Sequence, residues 1–141
     1  VDALLDLFEA FRKTHPGVDW RAELPETLPE TQEIIDLTVY RFFQEGATNA
    51  LRHGKPGQIT VSLSRQSGES GPVLHLTVED DGLGMDGDRS EGRGLTAMRD
   101  RIKAVGGQLS IETTERGGTK LVSRIPLLLL SDGTQELQVA S

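Results

Sequence analysis

The sequence predicts an α+β fold: a two-layer sandwich with a mixed sheet of about five strands, mostly antiparallel, covered by about three helices. Three observations predict it. Apolar residues recur at helical spacing in three segments. Apolar and polar residues alternate in the stretches between them, as in half-buried strands. Gly- and Pro-rich punctuation separates one pattern from the next.

The first helix covers residues 2–15, where Leu4, Leu5, Phe8 and Phe11 form an apolar stripe. His15-Pro16-Gly17 ends it, since Pro cannot continue a helix and Gly permits a sharp turn. Val18 to Leu24 is a candidate short strand, and Leu24-Pro25 to Leu28-Pro29 a loop. A long helix runs from about Glu30 to His53, with Ile35, Val39, Phe43, Ala47 and Ala50 on its buried face. Gly54-Lys55-Pro56-Gly57 stops it.

Ile59, Val61 and Leu63 alternate with Thr60, Ser62 and Ser64, and Leu74, Leu76 and Val78 alternate in the partner strand. Gln66 to Pro72 reads as a loose turn between them. Glu79 to Arg93 is a Gly- and Asp-rich loop, and Gly94 to Val105 a helix ended by Gly106-Gly107. Leu109 and Ile111 begin a strand, Gly117-Gly118 turns the chain, and Leu121 to Ile125 is the last strand. Three segments are expected: 1–17, 18–126 and a C-terminal tail, 127–141.

Composition excludes several classes. The 141 residues contain no cysteine, so disulfides, thiolate zinc sites and cysteine nucleophiles are ruled out. The apolar run Leu127–Leu130 is far short of the about 20 residues that span a bilayer, and no signal peptide is visible. The formal charge of −7 argues against general nucleic-acid binding, so no nucleic-acid partner and no direct membrane contact are expected. His15, His53 and His75 do not share a metal-ligand spacing. His75 falls on the polar face of its strand, and Trp20 and Tyr40 read as packing groups.

Four segments carry candidate chemistry. Arg41, Glu45, Asn49, Arg52 and His53 lie on adjoining turns of one polar helix face. This face is either a solvated, salt-bridged surface or a ligand site, where Glu45 suits a base and the Asn49 amide oxygen suits Mg²⁺. Asp80-Asp81-Gly82-Leu83-Gly84 follows a strand: either an Asp-Gly turn, or a carboxylate accepting from an exocyclic amine beside glycines that admit a ligand. The nearby acidic residues fail the EF-hand spacing. Gly92-Arg93-Gly94-Leu95 opens a helix, where backbone N–H groups favour phosphate. It formally matches G-x-G-x-x-A, but a charged loop stands where the dinucleotide fold has a buried strand. Gly117-Gly118-Thr119 is the fourth, on its own a plain hairpin turn.

Taken in order, the four resemble a known set. Glu45-Gly46-Ala47-Thr48-Asn49-Ala50-Leu51-Arg52-His53 resembles the N box of sensor histidine kinases. Asp80-Asp81-Gly82-Leu83-Gly84 resembles the G1 box, Gly92-Arg93-Gly94-Leu95 the G2 box and Gly117-Gly118-Thr119 the G3 motif. With Met98-Arg99-Asp100-Arg101, the pattern is similar to the nitrate-sensor and desaturase-sensor branch. That branch sits within the gyrase, chaperone, histidine-kinase and mismatch-repair ATPase superfamily.

The resemblance implies an ATP-binding catalytic domain that donates the γ-phosphoryl group to a histidine on a separate dimerisation region, in two-component signalling. Glu45 resembles the acidic residue acting on the attacking group, and Asn49, with Glu45, the Mg²⁺ site. Arg52 and His53 stand at phosphate-facing positions, and Gly92, Gly94 and Leu95 at the phosphate cradle. Asp80 resembles the adenine-amine acceptor, with Gly82, Gly84 and Thr119 on the adenine side. Lys55, Arg89, Arg93 and Arg99 join Arg52 as cations that offset the phosphates.

None of the three histidines stands in the family's phosphoacceptor context, and the chain begins with Val1. The expectation is therefore a domain cut from a longer kinase. Residues 1–17 would be the end of the dimerisation helix or a linker, and the setting the cytoplasmic portion of a membrane-anchored bacterial sensor with a response regulator downstream. Gly46 stands where the family usually has Ala. Two alternatives remain: a serine kinase of the anti-sigma-factor kind, and a nucleotide-sensing scaffold without transfer.

Overall fold

A computed structural model describes residues 2–28, 31–53, 56–69, 71–82, 93–115 and 117–127, apart from the side chains at positions 53, 93 and 94. Helix α1 spans Asp2–Thr14, strand β1 Asp19–Glu23 and helix α2 Glu33–His53. Strands β2 (Gln58–Gly68) and β3 (Gly71–Asp80) follow, then helix α3 (Arg93–Ala104) and strands β4 (Gln108–Thr113) and β5 (Thr119–Pro126).

The strands form one sheet in the order β1-β2-β3-β5-β4, with β1 parallel to β2 and every other pairing antiparallel. Alternation decides the faces. Ile59, Val61 and Leu63 of β2, Leu74, Leu76 and Val78 of β3, and Leu121 and Ile125 of β5 are buried under the helices. Their polar neighbours point to the open face. From α2, the stripe Ile35, Val39, Phe43, Ala47 and Ala50 is buried, and so is Phe42. From α3, Leu95, Met98 and Ile102 complete the layer.

Gly46 is explained by this contact. A Cβ there would stand 3.0 Å from Val78 Cγ2 and 3.4 Å from Leu121 Cδ1. Helix and sheet approach closely at that point, and the missing methyl allows it. The buried hydroxyl of Thr38 and the half-buried one of Thr48 need no distant partner: Thr38 Oγ1 donates to the Ile34 carbonyl (2.7 Å) and Thr48 Oγ1 to that of Gln44 (2.8 Å).

Helix α1 belongs to the same core. Leu4, Leu7 and Phe8 are buried, Phe8 meets Phe43 edge-on at 5.5 Å, and Phe11 stacks on Trp20 at 5.2 Å. The boundary expected at residue 17 therefore separates two elements that share one core. Trp20 is a packing group, 7% exposed, with its indole N–H on the His15 carbonyl.

Two further expectations change. The loose turn over Gln66–Pro72 is largely strand, because β2 and β3 stay paired out to Gly68 opposite Gly71. Leu127, assigned to the tail, is buried and its N–H donates to the Pro72 carbonyl at 3.0 Å. The rest of the tail, 128–141, lies outside the described residues. The C-terminus of α3 closes as expected at Gly106-Gly107. Gly106 has φ +82°, and the N–H groups of Gly106 and Gly107 donate to the carbonyls of Lys103 and Ile102.

Candidate functional site

The site is built around the C-terminal end of β3. Asp80 continues the buried alternation of Leu74, Leu76 and Val78, so its carboxylate is delivered to the helix face at the point where β3 ends. Its Oδ1 accepts the Gly82 N–H at 2.9 Å, and the backbone N–H of Thr119 is a second donor to the carboxylate. Burial pushes its pKa above the ordinary 3.8; the two backbone donors oppose that push, and Asp81 and Glu79 add to it. Few carboxylates are held buried without a cation, and here the backbone does the holding.

The β4–β5 turn supplies that backbone. Gly117 has φ +89°. Thr114 closes the turn on both sides, its Oγ1 accepting the Gly118 N–H (2.9 Å) and its N–H donating to the Gly118 carbonyl (2.9 Å). Gly118 then lies against the Asp80–Asp81 backbone: a Cβ would stand 2.8 Å from the Asp80 carbonyl carbon and 3.0 Å from Asp81 Cα. The segments expected to act together, at 80–82 and 117–119, are thus in direct contact.

Asp81 does different work, which the sequence did not reveal. Its Oδ1 accepts the N–H groups of Gly57 (2.8 Å) and Gln58 (2.9 Å), tying the end of β3 to the start of β2. Only an Asx-type reading of the Asp-Gly pair hints at such a role.

The polar stripe of α2 lies over the same face of the sheet. Gly46 packs on Val78, two residues before Asp80 and on the same side of β3. Glu45 and Asn49 are half-buried and Arg52 is exposed, whereas the side chain of His53 is not described. Glu45 Oε1 accepts from Arg101 Nη1 of α3 at 3.0 Å, an ion pair absent from the expected site. Arg99, expected among the phosphate-facing cations, instead donates from Nη1 to the Leu109 carbonyl of β4 at 3.3 Å. Leu95 is buried where α3 begins. Gly84, Gly92, Lys55, Arg89 and most of the glycine- and aspartate-rich loop lie outside the described residues, as do the side chains of Arg93 and Gly94.

A cavity of about 310 Å³ opens beside the end of β3, among Gln58, Thr60, Glu79, Asp80, Asp81, Thr114 and Glu115. Four acidic residues in its wall, Glu79, Asp80, Asp81 and Glu115, make it a poor place for a polyphosphate. The helix face, with Asp80, Asn49 and Arg52, has the better chemistry for a nucleotide. Among the described residues no cluster of His, Asp and Glu suits a metal by protein ligands alone, and no helix is long and apolar enough to cross a membrane.

A buried carboxylate fixed by backbone donors lies on the helix-covered face of a mixed sheet, in an α/β sandwich. Residues 35–129 match the family of histidine kinase-, DNA gyrase B- and HSP90-like ATPases, and the chain belongs to that family. It is similar to the signal transduction histidine-protein kinase/phosphatase UhpB of Salmonella typhimurium, with 36% identity over 110 residues, 77% of this chain and 20% of UhpB. It is 28% identical over 138 residues to the sensor histidine kinase LiaS of Bacillus subtilis, 96% of this chain and 36% of LiaS. The nitrate/nitrite sensor protein NarX of Escherichia coli is 31% identical over 100 residues, 70% of this chain and 16% of NarX, in keeping with the branch read from the motifs. Among solved structures, the blue-light activated histidine kinase EL346 of Erythrobacter litoralis superposes with a TM-score of 0.71 at 25% identity, covering 88% of this chain and 44% of that one. The chain is an ATP-binding domain of the sensor histidine kinase kind. It spans 20% to 36% of the length of UhpB and LiaS.

Proposed function

We propose that this domain supplies the γ-phosphoryl group of ATP to a histidine borne on a dimerisation region outside the chain, from which a response regulator is phosphorylated in turn. The observation that carries the reading is the Asp80 carboxylate, buried, aimed to the helix face and fixed by the Gly82 and Thr119 N–H groups. An acceptor held that way suits the exocyclic amine of adenine. Gly82, which has no side chain, leaves room for the base, and Thr119 flanks it. Ionised Asp80 also rejects a base that presents an acceptor at that position, which is a basis for choosing adenine over guanine.

Along α2, Asn49 and Glu45 stand one turn apart, which places an amide oxygen and a carboxylate on neighbouring turns of one face. That donor set suits Mg²⁺, a hard cation that takes oxygen ligands and keeps several waters. When bound, Mg²⁺ offsets phosphate charge. Arg52 extends the face by one turn, with His53 next to it in the sequence, and α3 begins at Arg93-Gly94-Leu95, just after Gly92 in the chain, where backbone N–H groups suit an anion. Glu45 orients the attacking imidazole and accepts its proton. A nitrogen–phosphorus bond forms as the bond from the γ-phosphorus to the bridging oxygen breaks, and ADP leaves. Positioning and charge stabilisation carry most of the barrier reduction. The working compartment is the cytoplasm, with sensing and anchoring parts elsewhere in the parent protein.

The test separates binding from transfer. Glu45→Gln keeps the size and removes the base. It keeps an oxygen toward the metal, so it should still bind a non-hydrolysable ATP analogue with Mg²⁺, within about tenfold of wild type by calorimetry, and lose transfer to the parent kinase's histidine-bearing region by about 100-fold or more. Transfer at the wild-type rate would remove Glu45 from the mechanism. Absence of any binding by the folded wild-type domain would remove the nucleotide reading.

A further inference from the structure

Glu45 on α2 and Arg101 on α3 lie 56 residues apart in sequence and meet across the two helices, Nη1 to Oε1, at 3.0 Å. The other oxygen, Oε2, is buried and has no hydrogen-bond partner among the described residues. Buried acceptors without partners are uncommon, and one on a carboxylate marks either stored strain or a missing donor. Glu45 is thus held by one oxygen while the second is kept dry and unsatisfied.

Arg101 is well placed to be the holder. Its neighbours Met98 and Ile102 are buried in the core. The glycine cap at Gly106-Gly107 and the bond from Arg99 to the Leu109 carbonyl seat the same helix on β4. A guanidinium on a seated helix holds a carboxylate with less freedom than one on a loop. Helix α3 also begins at the Arg93-Gly94-Leu95 motif, so one rigid element carries both the start of the phosphate cradle and the partner of Glu45.

We propose that Arg101 is a positioning residue: by binding Oε1 of Glu45 it fixes the rotamer of the carboxylate and leaves Oε2 as the oxygen without a partner among the described residues. The proposal rests on the reading of Glu45 as the residue that acts on that group. Its physical content is that an unheld glutamate samples several rotamers, and only some of them point the free oxygen at the reacting nitrogen.

Four proteins decide the matter: Arg101→Met, Arg101→Lys, Glu45→Gln and the double variant Glu45→Gln/Arg101→Met. Arg101 is 39% exposed in its side chain, so the methionine variant does not empty the core. Each is assayed for affinity toward a non-hydrolysable ATP analogue with Mg²⁺, and for kcat and KM of transfer to the histidine-bearing region of the parent kinase. Arg101→Met should lower kcat by roughly 10- to 100-fold, with KM for ATP and analogue affinity within about twofold of wild type. Arg101→Lys should recover much of the loss, because it restores a cation to Oε1. The double variant should be no slower than Glu45→Gln alone, because Arg101 acts only through Glu45. A fall in affinity equal to the fall in kcat would overturn the proposal in favour of a phosphate contact. A faster Arg101→Met would make the pair a latch that withdraws Glu45. Additive losses in the double variant would separate Arg101 from Glu45. If Glu45→Gln itself transfers normally, the reading of Glu45 fails, whatever Arg101 does.

Discussion

Gly118 is packed onto the carbonyl of Asp80 with no space for a Cβ between them. The contact explains why the short Gly-Gly-Thr turn belongs to the site although it lies almost 40 residues from the Asp-Gly loop. With Gly118 against the β3 end, the next N–H in the chain, that of Thr119, reaches the Asp80 carboxylate. The atoms in the way are backbone atoms, which cannot rotate aside as a side chain can. Gly118→Ala should therefore push β5 and β3 apart at this end. The expected loss is about 1–3 kcal/mol of stability, with a fall in nucleotide affinity alongside. Denaturant titration and calorimetry on the same variant check both. Unchanged stability would mean that the turn shifts freely.

Asp80 opposes folding where it serves binding. Burial raises its pKa above 3.8, so the folded state holds the proton more tightly than the unfolded chain does. The favourable contribution is present below pH 3.8 and is lost as pH rises through the folded value. At neutral pH the ionised carboxylate is a burden, lightened by the N–H groups of Gly82 and Thr119. Asp80→Asn keeps an oxygen for those donors and removes the charge. Its melting temperature at pH 7 should equal or exceed that of wild type, with the advantage vanishing below pH 3.8. Affinity for the ATP analogue should fall on the order of tenfold or more, since the amide group repels an amine donor. A variant both less stable and fully binding would contradict the assignment at both levels.

Much of the fold was legible because burial imposes a period. The α2 stripe Ile35, Val39, Phe43, Ala47 and Ala50 and the alternation of Leu74, Leu76 and Val78 all mark faces that are buried. The outer half of the β2–β3 hairpin was not, because Arg65, Gln66 and Ser67 are exposed and leave no alternation to read. The share of α1 in the core was also hidden: Phe8 finds Phe43 across 35 residues, and nothing local reports it. Of the ordered motifs, those at 80–82 and 117–119 fall on segments that the structure brings into contact, since glycine and aspartate at strand ends permit such close approach. The partners of Glu45 and Gly118 were not legible. Each is set by helix or strand packing, which brings together residues with no periodic relation in sequence. Arg101 was visible only as part of Met98-Arg99-Asp100-Arg101, and nothing in that run separates it from Arg99, which donates to the Leu109 carbonyl.

His75 sits on the open face of β3, half-buried and opposite Arg124 of β5. Burial lowers its pKa from 6.5, and the charges of Arg124 and Lys120 lower it further. The folded state therefore resists a proton that the unfolded chain accepts at 6.5. Stability is fully present above that value and declines as pH falls through 6.5 toward the folded pKa. Replacing His75 by Gln should flatten this part of the curve. Melting temperatures of wild type and variant, taken between pH 7.5 and about pH 5, should converge on acidification if the wild type starts higher, or separate further if it starts lower. Parallel curves would remove His75 as the source.

Ser123 of β5 is fully buried, and its hydroxyl has no hydrogen-bond partner among the described residues. Its cross-strand neighbours are Leu76 and Leu109, so the oxygen lies in apolar surroundings on the helix side of the sheet. A buried hydroxyl without a partner costs roughly 1–3 kcal/mol of desolvation, and truncation to alanine removes that cost with a small loss of contact. Ser123→Ala should therefore raise stability by roughly 1 kcal/mol and leave nucleotide affinity unchanged, because β5 contributes to the site at its first residue, Thr119, whereas Ser123 lies at mid-strand. The denaturant midpoint should rise with the m-value unaltered. A loss of more than about 1 kcal/mol would show that the hydroxyl is satisfied in solution by a buried water, and that the space around Ser123 is built to hold it.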